Sequence, residues 1–256
     1  MPKIFTKEQS VKIGLMLGEI LLRCGAETYR AEDTIRRICT AHGYTDVQPF
    51  VTPTMILIGD ASLQSRAGIL RITSRSTNLE VVADINDFSY NYAKNEMSFE
   101  ETVEYLDGLK SKVGYSEKVQ IIVTGIGSAM FTLMLGGGIP DFIASIFVAG
   151  AAMYFAMMID RGISSIFVFN LSAGALVGGL ACISVFVYPA CEVDKIIVGS
   201  IMPFVPGLAF TNGVRDFLSG DLISGNSRIS EAFISACSTA FGVGMVLKIW
   251  MLLGRW

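Results

Sequence analysis

The sequence predicts an α-helical integral membrane protein in two parts, a small α+β domain over residues 1–118 followed by five transmembrane helices over 119–256. Three observations carry this. Of 256 residues, 52% are apolar and only 17% charged, where ordinary soluble domains are nearer a quarter charged. Mean hydropathy is +0.53. The charge is also uneven, about a quarter of the residues in 1–118 against about 9% of those in 119–256. The first part is long enough to bury its own core, and the second to supply several spans of roughly 20 residues.

Residues 7–23 read as a helix, because Val11, Leu15, Gly18 and Leu22 with Ile13, Leu17, Ile20 and Leu21 recur at three- and four-residue spacing. Gly25 stops it. A second helix, 26–41, ends at Gly43. Three β-rich stretches follow at 47–51, 55–58 and 68–72, separated by Thr52-Pro53-Thr54 and Gly59-Asp60-Ala61-Ser62. Helices return at about 78–95 and 98–111, the latter opened by a capping box of Ser98 and Glu101. The polar stretch 110–118 marks the boundary.

From Val119 five apolar segments read as spans: about 119–138, 142–159, 163–187, 196–210 and 230–251. The fourth is short and interrupted by Pro203 and Pro206-Gly207. The third carries Gly174 and Gly178, a spacing that lets helix backbones approach; packing within the chain or a higher oligomer both use it. Lys110, Lys112, Lys118, Arg161, Arg215 and Arg228 fall on one side of these spans, which places the N-terminal domain in the cytoplasm and the C-terminus outside. The first eight residues lack the apolar core of a signal peptide.

Several chemistries are disfavoured. A net charge of −3 without a basic run argues against nucleic acid. Five scattered cysteines without C-x-x-C, and the single histidine His42, argue against zinc and a disulfide framework, and no cofactor is expected. His42 precedes a helix-ending glycine, where a cation suits the helix C-terminus.

Three clusters remain. In the first, Glu27, Thr28, Arg30, Glu32 and Asp33 surround a glycine break; they can cap and pair locally, or contact a ligand or the membrane domain. In the second, Arg71 and Arg75 on a strand edge beside hydroxyls can hold a carboxylate bidentately; alternatively the stretch is a strand-to-helix turn with Thr77 or Asn78 as cap. In the third, Pro206 and Gly207 break a span and Thr211, Asn212, Arg215 and Asp216 follow within about two turns, with Asp221 and Arg228 beyond. Broken backbone at membrane depth is tolerated where protein or a water-filled cavity satisfies it, and such breaks bind ions and anionic solutes. Arg215 can take a carboxylate, Asp216 an amine or a proton, and Thr211 and Asn212 a hydroxyl; alternatively Arg215 and Asp216 pair with Asp221 and Arg228 to close a loop.

These residues match a known pattern. The stretches Gly25-Ala26-Glu27-Thr28-Tyr29-Arg30-Ala31-Glu32-Asp33-Thr34-Ile35, Val51-Thr52-Pro53-Thr54, Thr77-Asn78-Leu79-Glu80 with Asn86, and Pro206-Gly207 through Thr211-Asn212, Arg215-Asp216, Gly220-Asp221, Gly225 and Arg228 resemble the N-terminal module of the threonine/serine exporter family. The resemblance implies a cytoplasmic domain followed by five spans, in a secondary exporter for hydroxy amino acids or, in split systems, dicarboxylates such as succinate. Members with both modules in one chain continue into a second five-helix module, whereas this sequence stops at Trp256, so the resemblance also implies a small separate five-helix membrane subunit as partner, beside membrane lipid. Where the family often has Asn-x-x-Ser-Arg, this sequence has Asn86-Asp87-Phe88-Ser89-Tyr90, and the role of that arginine does not carry over.

Proton-coupled export is the leading function, with Asp141, Glu192, Asp194, Asp216 and Asp221 as candidate proton carriers. A membrane-tethered hydrolase and a regulatory or assembly subunit are the alternatives, although no phosphate loop, metal spacing or catalytic histidine pairing supports an enzyme.

Overall fold

The computed structural model describes residues 5–60, 68–73, 75–92, 97–112, 115–162 and 165–253. The protein is mostly helical with one small sheet. It divides into two compact units, Met1–Gly114 with Leu208–Ile229, and Tyr115–Gly207 with Ser230–Trp256.

In the first unit, α1 (Lys7–Arg23) opens on a capping box in which the Thr6 hydroxyl accepts the Gln9 N–H and the Gln9 side chain accepts that of Thr6. Gly25, at φ +91°, turns the chain into α2 (Thr28–Ala41). The strands β1 (Val47–Thr52), β2 (Met55–Asp60) and β3 (Gly68–Arg71) form an antiparallel meander with β2 central, Val51 opposite Ile56 and Ile56 opposite Leu70. Then come α3 (Leu79–Asn91), capped by Asn78, and α4 (Phe99–Lys110), opened by the Ser98–Glu101 box. The core joins Ile13, Leu17 and Leu21 of α1 to Ile35 and Ile38 of α2, Val51 and Ile56 of the sheet, Ile85 and Leu106. Close packing depends on Gly18, where a Cβ would lie 2.8 Å from Ile56 Cδ1 and 2.9 Å from Ile35 Cδ1.

The second unit begins with α5 (Glu117–Met134) and α6 (Ile139–Asp160), an antiparallel pair turned at Gly136 (φ +87°). Gly125 meets the Ile146 carbonyl, and Gly150 meets Ile121. Next are α7 (Ile166–Val187), α8 (Val193–Ile201) and a single 3-10 turn, Met202–Phe204, which carries Pro203. After Val205-Pro206 the chain continues as α9 (Gly207–Leu218), turns at Gly220 (φ +87°), and ends with α10 (Leu222–Leu252). The α9 helix from Leu208 and the first turns of α10, to Ile229, complete the first unit.

Gly174 and Gly178 bring α7 onto α10 within the second unit: a Cβ at Gly174 would run into the Thr239 carbonyl, and one at Gly178 would lie 3.4 Å from Val243 Cα. From the other side, Gly242 abuts the Leu171 carbonyl. The spacing therefore packs two helices of one chain, which run in the same direction because 174 and 178 meet 239 and 243 in that order.

Each apolar segment expected from the sequence contains helix, with shifted limits. By length and composition, and among the described residues, three helices suffice to cross a membrane, Ile139–Asp160, Ile166–Val187 and Leu222–Leu252, or up to four if Val193–Phe204 and Gly207–Leu218 make one broken span. The expected first span, 119–138, ends early as α5 because Leu135 and the following glycines form the turn into α6. The expected fifth span, 230–251, instead starts at Leu222; Asp221 accepts the Ser224 N–H at 3.1 Å and so opens the helix two turns sooner.

Candidate functional site

The turn between α1 and α2 leaves two carbonyls for partners from later in the chain. Gly25 O accepts Asn212 Nδ2–H at 2.9 Å, and Ala26 O accepts a guanidinium N–H of Arg228 at 2.8 Å. The next residue, Glu27, stands at the N-cap position of α2 but makes no capping bond. Its carboxylate pairs instead with Arg215 and, at 3.3 Å, with Arg30. Thr28 then donates its hydroxyl to Asp216 Oδ1 at 2.8 Å, with Asp221 Oδ2 at 3.2 Å. The second Asp216 oxygen lies 3.0 Å from Arg228 Nε, and this ion pair is closed off from solvent, the side chains being 0% and 7% exposed.

The sheet edge joins the same network. Val51 of β1 donates its N–H to Glu32 Oε1 at 2.9 Å, while its carbonyl accepts the Ser224 hydroxyl at 3.4 Å. An edge strand's outward backbone groups are thereby used, by α2 and α10. On α9 the residues Asn212, Gly213 and Asp216 are buried together, one stripe of the helix. Gly213 is needed there, since a Cβ would lie 2.9 Å from Ile229 Cγ1 and 3.2 Å from Arg228 Cβ.

The two acids of α2 respond oppositely to this setting. Burial pushes the Glu27 carboxyl up, but its own backbone N–H and the Arg215 and Arg30 guanidiniums outweigh that and hold it below the ordinary range. Burial also pushes Glu32 up; the Val51 N–H opposes it, the negative charges of Asp221 and Asp216 add to it, and the carboxyl ends above the ordinary range.

Of the residues singled out in the sequence, Asn212, Arg215, Asp216, Glu27, Thr28 and Glu32 come together here, with Arg30 at the margin. Thr211 is exposed, off the buried stripe of α9. Pro206 and Gly207 lie in the second unit, where they open α9. Asp33 pairs with Arg37 along α2, Arg71 is exposed at the end of β3, and Asn78 caps α3 by accepting the Val81 N–H at 3.3 Å. These three are elsewhere in the unit. Reading the sequence undervalued Asp221, Ser224 and Arg228; their three- and four-residue spacing, which suits a helix start and one face of its first turns, was the available signal. Arg228 does pair with Asp216, but Arg215 goes to Glu27 and not to Asp221.

Two other polar groups are structural. His42 is buried, with Nδ1 accepting the Phe5 N–H at 3.3 Å and Nε2 at 3.0 Å from the Tyr92 hydroxyl. An accepting Nδ1 makes the ring neutral, and burial lowers its pKa, so it is not the cation expected at that helix end. Asp141, a candidate proton carrier, commits its oxygens to the Gly138 N–H at 2.8 Å and the Glu192 N–H at 2.7 Å. Among the described residues, no group of three or more His, Cys, Asp or Glu is placed to hold a metal ion.

Residues 12–250 match the model of the family described as "Putative threonine/serine exporter". A protein of Klebsiella aerogenes named "Probable succinate transporter subunit YjjP" is 22% identical, over 91% of this chain and 91% of its own length. No solved structure matches. Family and relative are membrane transporters, not enzymes. With nearly its whole length matched and several helices apolar enough to cross a bilayer, the chain belongs to the threonine/serine exporter family as a multi-pass membrane protein.

Proposed function

We propose that the chain is the larger subunit of a proton-coupled secondary exporter for small carboxylates, either threonine/serine-type amino acids or dicarboxylates such as succinate. The observation that carries this reading is the buried network of Asp216, Arg228, Thr28 and Asp221. Desolvation offsets most of the attraction in a buried ion pair, so stability alone is a weak reason to keep one. A carboxyl that can take a proton and then release its arginine is, in contrast, what coupling requires. Arg215 is more than half exposed while it holds Glu27. A substrate carboxylate would compete with Glu27 for that guanidinium, and the exposed Thr211 on the same helix could receive a hydroxyl, while Asn212 holds the Gly25 carbonyl.

In this reading the protein sits in the bacterial cytoplasmic membrane, with residues 1–118 in the cytoplasm and five crossings. Two features support the count. The α5 helix, about 27 Å long at 1.5 Å per residue, lies along α6. The α7 and α10 helices lie side by side in one direction, so the chain between them has to return once, and the broken pair Val193–Phe204 with Gly207–Leu218 is the segment available. The partner is a small five-helix membrane subunit of the same family, a reading supported by the Klebsiella relative's name as a subunit.

Counterflow in proteoliposomes tests the proposal, with a panel of amino and dicarboxylic acids, with and without the co-expressed partner. Exchange of at least one carboxylate is expected only with both subunits. Asp216→Asn should lower pH-driven export at least about tenfold, equivalent to 1.4 kcal/mol on the limiting barrier, with normal membrane insertion. Unchanged export with an unchanged pH profile would return Asp216 to a purely structural role, and full transport by this chain alone would remove the partner.

A further inference from the structure

Two kinds of hydroxyl group stand out in the helices of the second unit. Ser184, Ser238 and Thr239 each donate to the carbonyl one turn earlier in their own helix, at 2.8, 2.6 and 3.1 Å. That is the usual way a hydroxyl is satisfied where water is absent. Ser128 of α5 and Ser200 of α8 are fully buried, yet neither hydroxyl has a hydrogen-bond partner among the described residues; Ser235 of α10 shares this condition.

Ser128 and Ser200 each stand, along their own helix, next to one contact between α5 and α8. Thr132, a turn beyond Ser128 on α5, meets α8 at Gly199, where a Cβ would run into its Oγ1. Ser200 is the next residue. Thr132 donates to the Ser128 carbonyl at 3.1 Å, so Ser145 of α6, whose hydroxyl lies 2.7 Å from Thr132 Oγ1, donates to Thr132. Those two protons are committed. One residue past Ser200, α8 gives way to the Met202–Phe204 turn, which itself packs on α5.

We propose that this junction of α5, α6 and α8 is a solute site inside the helical unit, where the Ser128 and Ser200 hydroxyls donate to a carboxylate of the transported molecule. What each hydroxyl lacks is an acceptor for its proton. A carboxylate supplies several acceptor positions and brings no proton of its own, and bonds to an ionised acceptor are the stronger kind. A cation bound to the same oxygens would leave both protons unplaced. The adjacent break in helical hydrogen bonding is the feature that accompanies polar solutes at membrane depth. The inference rests on the carboxylate-export reading and adds to it a second station along the path.

The test compares wild type, S128A, S200A and S184A with the partner present. Succinate and L-threonine serve as probes, in counterflow and in the solute-dependent rise of the thermal midpoint in detergent. In S128A and S200A, KM for the transported probe should rise about tenfold and the midpoint shift should shrink, while S184A behaves as wild type. If the alanine variants insert poorly, S128C and S200C keep the volume with a weaker donor, and the same rise in KM is expected at smaller size. Wild-type transport with unaltered KM and midpoint shift in both serine variants overturns the site and leaves the hydroxyls to water. Wild-type protein that moves neither probe overturns the export reading, and this site with it.

Discussion

Glu27 and Glu32 sit little more than one turn apart on α2 and are driven in opposite directions, which gives stability a signed dependence on pH. Glu27 is held low despite its burial, so its contribution is present above the unfolded carboxyl value of about 4.3 and is lost only as pH falls below that. Glu32 is held high by burial and by Asp221 and Asp216, so the folded state binds its proton more tightly than the unfolded chain does. Its contribution is full at low pH and is lost as pH rises through the folded pKa. Between neutrality and about pH 4.5, acidification therefore gains stability through Glu32 before it loses any through Glu27. Glu32→Gln keeps the side-chain oxygen that accepts the Val51 N–H but removes the titration. The variant should be the more stable protein at neutral pH, and its thermal midpoint should rise less than that of wild type as pH falls from 7 to 5. Parallel midpoint curves would mean that Glu32 is not held high.

At the level of elements, the helices and strands were legible because their signals are local. The Ser98–Glu101 box, Gly25 and Gly43, and the β-rich stretches mark boundaries that the structure meets within a few residues. The start of α10 was not legible, since Ser224 and Arg228 look like a loop until their partners are in place, Val51 for the first and Ala26 and Asp216 for the second. The Gly174 and Gly178 spacing was legible as a close helix contact, while the identity of its partner helix needed the fold. That contact can be tested. Gly174→Val places a branched side chain where even a Cβ meets the Thr239 carbonyl, and should cost about 1–3 kcal/mol, read as a fall in thermal midpoint or in the yield of folded protein. At Gly244 of α10 a Cβ meets nothing within 4 Å, so Gly244→Ala should be neutral or stabilising by up to about 1 kcal/mol from helix propensity. Equal damage at both positions would show that these helices resist substitution generally and that the crossing is not special.

Over the whole molecule, the candidate site is assembled from segments nearly two hundred positions apart, with Thr28 to Asp216 separated by 188 and Ala26 to Arg228 by 202. Sequence reasoning found both segments from their charge and glycine content, but no local period can pair them; burial of charges at both ends, each requiring a partner, is the physical reason they meet. The same long connection bears on topology. Three crossings by α5, α6 and α7 would put Tyr188 on the side opposite Ser111, and the return through α8 would bring Ser219 back to the side of Ser111. In the proposed orientation, read from the cationic flanks, that shared side is the cytoplasm. Native Cys191 follows α7 but is buried, so introduced cysteines at exposed positions give the cleaner readout. Ser111→Cys and Ser219→Cys should react with a membrane-impermeant maleimide only in inside-out vesicles, and Tyr188→Cys only in right-side-out vesicles, each against the wild-type background of five cysteines. Reversal of all three would keep the crossing number and invert the orientation. Labelling of Tyr188→Cys from the same side as Ser111→Cys would mean an even number of crossings before it, so that one of α5, α6 and α7 lies outside the bilayer; α5, with a charged first turn, would be the helix to reassign.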